Sequence, residues 1–359
     1  MLTVAVSGIN AVDNPGPGTG IIRALKESSL EVRAVGLAYD SMEPGVYMTG
    51  LIDKAYVLPY PSSDRRLFLE RLGEIHAREK LDVIVSALDA ELPIYMESES
   101  ELHRWGIKML IPDRHAFQKR EKSQLDELAP RIGVKCPKFR VCTSFRDLRS
   151  ALNDIKPPRM VKGPFYEAYK APSDMEAEEY FLKLVNKWGF PIIVQEFISG
   201  EEYDVVGCGD GEGGNMGLFA MKKMTTTALG KVWNAVSIRN ETLLELASTF
   251  VQHLRWRGGF EMEVIVEDKT REIYLLEANP RFPAWVYMAA ACGINLPERM
   301  VRLLMGMSYE DHSRYESGKM MIRFTSEMLK DISDFEHVVC FGESGNGPSV
   351  CDCRSEVAI

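Results

Sequence analysis

Cysteine, long apolar runs and excess positive charge are all scarce in this chain. Of its 359 residues seven are cysteines, an odd number, scattered except for Cys351 and Cys353. A disulfide framework is therefore excluded as the organising device, and reduced thiols are expected. The "CDC" pair could hold a metal or act as a redox pair, although no second pair or histidine cluster accompanies it. No apolar run approaches the roughly 18–20 residues that a membrane helix needs, and the N-terminus "MLTVAVSGIN" lacks the basic stretch of a secretory signal. A soluble, cytoplasmic protein without a membrane partner is expected. Lys and Arg number 43 against 52 Asp and Glu, a net charge of −9. Nucleic acid is thus not expected as a partner, whereas a small phosphate pocket needs only local cations. Repeats at solenoid periods are absent, and the one Gly-rich tract, "CGDGEGGNMG" from Cys208 to Gly217, reads as a hairpin loop between the β-type runs "YDVVG" and "GLFAM".

What is present is core-forming material, 45% apolar and 26% charged, in a chain longer than one compact domain usually is. "LTVAVSG" reads as a buried parallel strand, "GPGTGIIRALKES" as a Gly-rich turn and amphipathic helix, and "EVRAVGLAYD" as a second strand. "DRRLFLERLGEIHAREK" reads as a second helix and "LDVIVSALD" as a third strand. This alternation predicts a small doubly wound α/β domain over residues 1–111. Gly16, Gly18 and Gly20 do not form the dinucleotide fingerprint, since Gly16 lies eight positions beyond Gly8; a glycine-permitted turn at the mouth of the sheet is the expectation. Asp89 and Glu91, in "ALDAELP", fall where a strand runs out toward that mouth. Open α/β sheets bind ligands there, so both are candidate substrate contacts, with helix capping or a solvated loop as the alternative. From residue 112 onward helices and strands follow in α+β order, ending in the strands "FEMEVIVED" and "EIYLLEAN".

Those two strands carry the chemistry. Paired around "EDKTR" as an antiparallel hairpin, they bring the start of the first beside the end of the second. Glu261 and Glu263 are two apart and share a face, as do Glu277 and Asn279. Carboxylates gathered in this way repel unless a cation sits among them. Hard oxygen ligands suit Mg²⁺, with Mn²⁺ as a substitute, held by one or two carboxylates together with substrate phosphates. Arg281 follows Pro280 and could neutralise a phosphoryl oxygen or pair with a carboxylate. The alternative is a solvated salt-bridge cluster on an exposed hairpin.

"EANPR" at a strand end, preceded by a Glu-bearing partner strand and followed by "ACGINLP", resembles the ATP-grasp superfamily, in the branch similar to the carbamoyl-phosphate synthetase large subunit and biotin carboxylase. The resemblance implies Glu263, Glu277 and Asn279 as magnesium ligands, with Glu261 the alternative to Glu263, and Arg281 as a contact to the transferred phosphoryl group. "REKSQLDELAPRIGVKCP" resembles the segment that places Lys122 near the ATP phosphates, and "RMVKG" the strand with a second phosphate-binding lysine, Lys162. "VQEFISGEEYDV" resembles the hinge, near residues 195–199, where backbone groups of Glu196, Phe197 and Ile198 read adenine and Glu202 takes the ribose. In "AMKKMTTTALGK" either Lys222 or Lys223 would reach the phosphates, because alternation lets only one face inward. Two departures stand out: "KGPFYEAYKAP" has one glycine where relatives carry a glycine-rich flap, and Ala284 stands where synthetase relatives have a second Arg.

The resemblance therefore implies an α/β plus α+β chain: a Rossmann-like preATP-grasp domain over 1–111, a two-subdomain ATP-grasp domain over 112–328, and an extension of unknown role over 329–359. The implied activity is ATP-dependent ligation, in which a carboxylate becomes an acyl phosphate with release of ADP and is then joined to an amine. The partners would be a small-molecule carboxylate and amine, such as an amino acid or peptide, with a homodimer as an assembly to test. The rivals are an enzyme on the same fold with a thiol or hydroxyl acceptor, and a non-catalytic nucleotide-binding scaffold. "RFPAWVYMAAACG" is expected to begin a helix along the acceptor pocket, making Trp285 a substrate-site candidate, with core packing as the alternative.

Overall fold

The protein is described from a computed structural model, over residues 1–12, 14–163, 167–310 and 313–345. Cys351 and Cys353, and residues 164–166 of the expected lid, lie outside these. The chain builds three sheets in succession. The first is parallel, formed by β1 (Leu2–Val6), β2 (Val32–Ala38), β3 (Lys54–Val57) and β4 (Val83–Val85) in the order β3-β2-β1-β4.

Alternation along β1 explains why this sheet is covered on both sides. Val4 and Val6 pack with Ile21, Ile22 and Leu25 of the helix Pro17–Lys26, while Ala5 packs with Phe68, Leu72 and Ile75 of the helix Arg65–Glu79. Each such branched side chain taken out of water contributes about 1.5–3 kcal/mol. The glycines at the start of the first helix serve close backbone packing. Gly16 N–H donates to the Asn10 carbonyl (2.7 Å) and Gly18 N–H to that of Gly8 (2.9 Å), and a Cβ on Gly18 would lie 2.1 Å from the Ser7 carbonyl oxygen. Those amides are thereby committed within the chain. The edge at β3 is covered by the C-terminal segment: Ser344 Oγ accepts from Ala55 N–H (2.7 Å), and Glu343 pairs with Lys54 (3.2 Å) and Arg78 (2.6 Å).

The second sheet is antiparallel, with β5 (Phe139–Cys142), β6 (Arg159–Lys162), β7 (Ala168–Ala171) and β8 (Ile192–Glu196) in the order β5-β8-β6-β7. The helices Phe145–Asp154 and Asp174–Trp188 cover it, each opened by a serine cap, Ser144 to Asp147 N–H (3.2 Å) and Ser173 to Glu176 N–H (3.3 Å).

The third sheet is antiparallel and six-stranded. Its strands are β9 (Gly200–Asp210), β10 (Asn215–Thr226), β11 (Val232–Ile238), β12 (Arg257–Glu267), β13 (Ile273–Asn279) and β14 (Met320–Ile322), ordered β13-β12-β9-β10-β11-β14. Tyr203, Val205, Ala220, Met262 and Val264 pack under the helix Glu241–Leu254. The alternate residues therefore lie on the other face, among them Glu202, Asp204, Lys223, Glu261 and Glu263. Residues 197–199 cross from the second sheet to the third, since β8 ends at Glu196 and β9 begins at Gly200. Among the described residues no helix is long and apolar enough to cross a membrane.

Candidate active site

Register assembles the acidic cluster. Glu261 stands opposite Asn279 and Glu263 opposite Glu277 on β12 and β13, and Asp204 of β9 stands opposite Glu263 on the other side. Four oxygen-bearing side chains of the hairpin thus share one face, flanked by Asp204 and Glu202. Each of the three carboxylates of the hairpin has an N–H or ammonium partner. Asn279 Nδ2 donates to Glu261 Oε2 (2.9 Å) and Glu263 Oε1 (3.2 Å), and Lys223 Nζ to Glu263 Oε2 (2.7 Å). Lys223 also lies 3.2 Å from Glu202 and 3.3 Å from Asp204, and Lys122 lies 3.3 Å from Glu277.

Charge and burial contend here. Burial pushes the Asp204 carboxyl well up, against the pull of Lys223. Burial and the neighbouring Glu263 likewise raise Glu261. Glu263 goes the other way: burial raises it, but Lys223, Arg281 and Lys122 outweigh that and hold it below the usual carboxylate range. Burial would strip the proton from Lys223, yet Asp204, Glu263 and Glu202 keep its ammonium charged far into alkali. Lys162, at the end of β6, has no such surplus of anions; burial, then repulsion from Lys122, push its pKa down to about 8.

The N-terminal sheet and the last strand reach the same place. Asp89, just past β4, puts Oδ1 3.2 Å from Arg281 Nε, and Arg281 Nη1 also donates to Glu261 Oε2 (3.2 Å). Arg323, one residue beyond β14, donates Nη2 to the carbonyl of Ala284 (2.8 Å), while its Nη1 is buried without an acceptor among the described residues. Burial lowers its pKa, with Glu261 as the opposing charge. Arg120, half-buried over the ring of Phe117 (4.2 Å), approaches Asp89 Oδ2 to 3.7 Å. Arg120, Arg323 and Asp204 are absent from the sequence reading. Only Ala284 hinted at Arg323, by leaving room for an arginine from elsewhere.

Three expected contacts sit differently. Glu91 is fully buried, its carboxyl accepting from Ser7 Oγ (2.5 Å), Ser86 Oγ (2.6 Å) and Tyr39 Oη (2.6 Å). Sequence polarity gave it a mouth position, but the chain turns it into the core, away from any substrate. Trp285 is 2% exposed and donates Nε1 to Glu261 Oε1 (2.6 Å). It packs beside Phe219, so it supports Glu261 from behind rather than lining a pocket. Lys222 points to the opposite face from Lys223 and pairs with Glu201 there. Along the crossing, Glu196 is exposed and Oε2 accepts from Lys138 N–H (3.2 Å), Phe197 lies under Lys170 Nζ (3.8 Å), and Ile198 is buried.

Among the described residues no group of three or more His, Cys, Asp or Glu forms a self-sufficient metal centre. The opposed pair Glu263 and Glu277, with Asn279, instead offers the small hard-oxygen set that suits Mg²⁺ brought in with phosphates.

This arrangement of sheets is shared with solved structures. N5-carboxyaminoimidazole ribonucleotide synthetase in its ADP complex superposes with a TM-score of 0.69 at 15% identity, covering 95% of this chain and 85% of that one. The L-amino acid ligase from Bacillus licheniformis gives 0.64 at 16%, covering 85% and 74%. Residues 190–326 match the family described as ATP-grasp in the biosynthetic pathway with Ter operon. The chain has the ATP-grasp fold. Among curated proteins, the carbamoyl phosphate synthase large chain of Thermotoga neapolitana is 24% identical over 268 residues, 69% of this chain. That stretch is 24% of the synthase, so the chain spans about a quarter of its relative's length.

Proposed function

We propose that this ATP-grasp chain is an ADP-forming carboxylate–amine ligase acting on small molecules. The observation that carries the reading is the register pair Glu263 and Glu277, with Asn279 and Arg281 following on the same strand end. A carboxylate substrate would attack the γ-phosphorus of ATP, giving an acyl phosphate and ADP, and an amine would then displace phosphate to form the amide. Lys122 and Lys162 bind phosphate oxygens, and Arg281 stabilises the charge that builds on the transferred phosphoryl group. Glu263, Glu277 and Asn279 would hold Mg²⁺, which supplies charge screening of the phosphates when bound. Glu202 is the ribose contact, and backbone groups at residues 196–198 take the adenine edge. Lys223 keeps Glu263 ionised and in place, and Arg323 presents its free Nη1 to the substrate carboxylate. The chemistry is positioning and screening of anions, which calls for lysines, arginines and metal-binding carboxylates rather than a nucleophile with a base.

The test is product analysis with MgATP and a metabolite pool. ADP and phosphate should appear only with a suitable carboxylate, and hydroxylamine should intercept the acyl phosphate as a hydroxamate. AMP with pyrophosphate would overturn the chemistry while sparing the fold. Nucleotide binding without either product would favour a scaffold, and a hydroxamate without an amide would point to a thiol or hydroxyl acceptor.

A further inference from the structure

The guanidinium of Arg281 meets groups from two different sheets. From its own sheet, Nη1 donates to Glu261 Oε2 (3.2 Å) and to the Phe282 carbonyl (3.4 Å). From the parallel sheet, Asp89 Oδ1 lies 3.2 Å from Nε. Nη2 has no acceptor among the described residues. A guanidinium is planar and charged, so hydrogen bonds at Nη1 and the Asp89 carboxylate beside Nε together set the direction in which Nη2 points. Either contact alone would leave the group free to swing about the other. Asp89 is itself braced, since Arg120 approaches its second oxygen to 3.7 Å, and Arg120 is packed over the Phe117 ring at 4.2 Å.

We propose that Asp89 is a positioning residue: with Arg120 behind it, it clamps Arg281 so that Nη2 faces the reacting phosphoryl group. The proposal rests on the ligase reading of this site. It also assigns the parallel sheet a part in the chemistry, because the clamp closes only when the loop after β4 is docked against the end of β13. Asp89 is 39% exposed, so neutralising it should leave the fold intact.

The experiment compares wild type, Asp89→Asn and Asp89→Glu. ADP release is measured with MgATP and an equimolar pool of the twenty protein amino acids, MgADP binding by calorimetry, and the Arg281 Nε–H signal by ¹⁵N NMR, identified by its loss in Arg281→Lys. Misplacing a positioning group by a fraction of an ångström to an ångström costs about tenfold to a hundredfold in rate. Asp89→Asn should lower kcat by that factor with KM for ATP and MgADP binding unchanged, and the Arg281 Nε–H signal should move as the neighbouring carboxylate charge is lost. Asp89→Glu should restore most of both. An unchanged kcat, a parallel rise in KM for ATP, or an Nε–H signal left unmoved by Asp89→Asn would overturn the clamp. If the wild type released no ADP, the ligase reading would fall, and the NMR comparison would still decide whether Asp89 holds Arg281.

Discussion

Replacing Lys223 by Met tests the electrostatics of the site most directly. The Lys223 side chain is 6% exposed, with three carboxylates within 3.3 Å, those of Glu263, Glu202 and Asp204. Methionine keeps most of the volume and removes the only cation close to Asp204 among the described residues. Breaking a buried pair by deleting one partner costs about 3–5 kcal/mol, since the other charge is left uncompensated. The loss should depend on pH, and the sign follows from the shifts. Asp204 is held above its ordinary pKa in the fold even with the lysine present, so without it the carboxyl takes a proton still more readily. Glu263 is held low chiefly by Lys223 and should rise once that charge is gone. Both changes make the folded variant bind more protons than the unfolded chain, so its stability should fall as pH rises above the unfolded carboxylate range. Wild type keeps the lysine's contribution until alkaline pH, because the folded ammonium is stabilised. Urea unfolding at pH 5 and pH 8 should therefore show a deficit of about 3–5 kcal/mol at pH 8 that shrinks at pH 5. A deficit below about 1 kcal/mol at pH 8, or one equal at both pH values, would refute the reasoning.

Two further outcomes concern nucleotide binding. If Glu202 takes the ribose as proposed, Glu202→Ala would remove a charge-assisted contact of about 1.5–3 kcal/mol, so the Kd for ATP should rise roughly tenfold to a hundredfold while maximal rate changes little, as equilibrium titration and initial rates will show. Lys162, with its pKa pushed down to about 8, loses its positive charge as pH rises through that value. Affinity for MgATP measured by calorimetry should accordingly weaken between pH 7 and pH 9, and Lys162→Met should flatten that dependence.

Where the hydrophobic pattern is strong, the fold is legible in the sequence. "LTVAVSG" and "LDVIVSALD" are β1 and β4, and the helices at Pro17–Lys26, Arg65–Glu79, Asp174–Trp188 and Glu241–Leu254 follow their apolar stripes and caps. The strands β3, β5, β7 and β14 escape a sequence reading, because each has three or four residues and lies at a sheet edge; β11, seven residues between β10 and β14, escapes it too. β14 shows this best: its three residues, Met320 to Ile322, are largely exposed, and their place is set by pairing with β11. Arg323 is invisible for the same reason, since only the folded chain brings it beside Ala284. Alternation did separate Lys222 from Lys223 in principle, but which faced inward depended on the register with β9. Glu91 and Trp285 show the converse limit. Residue polarity indicates what a side chain can bond, and not how deeply the fold carries it.

The hairpin at the centre of the site depends on an irregularity that strict alternation would not allow. Glu263 pairs with Glu277, but the next pair is Val264 with Leu275, so Leu276 is an extra residue in β13. On a regular strand Leu275 and Glu277 would share a face. One of them would then be misplaced: either Leu275 would lie among the site's carboxylates, or Glu277 would be driven under the helix Glu241–Leu254, where a bare carboxylate costs several kcal/mol. The bulge removes that conflict. It sends Leu275 into the apolar core with Val264 and Met262 and leaves Glu277 across from Glu263 and beside Lys122. Bulges recur next to active sites because one inserted residue re-aims a side chain without breaking the sheet. Here the re-aimed side chain is a proposed metal ligand, and the neighbouring core position is kept apolar by the same step.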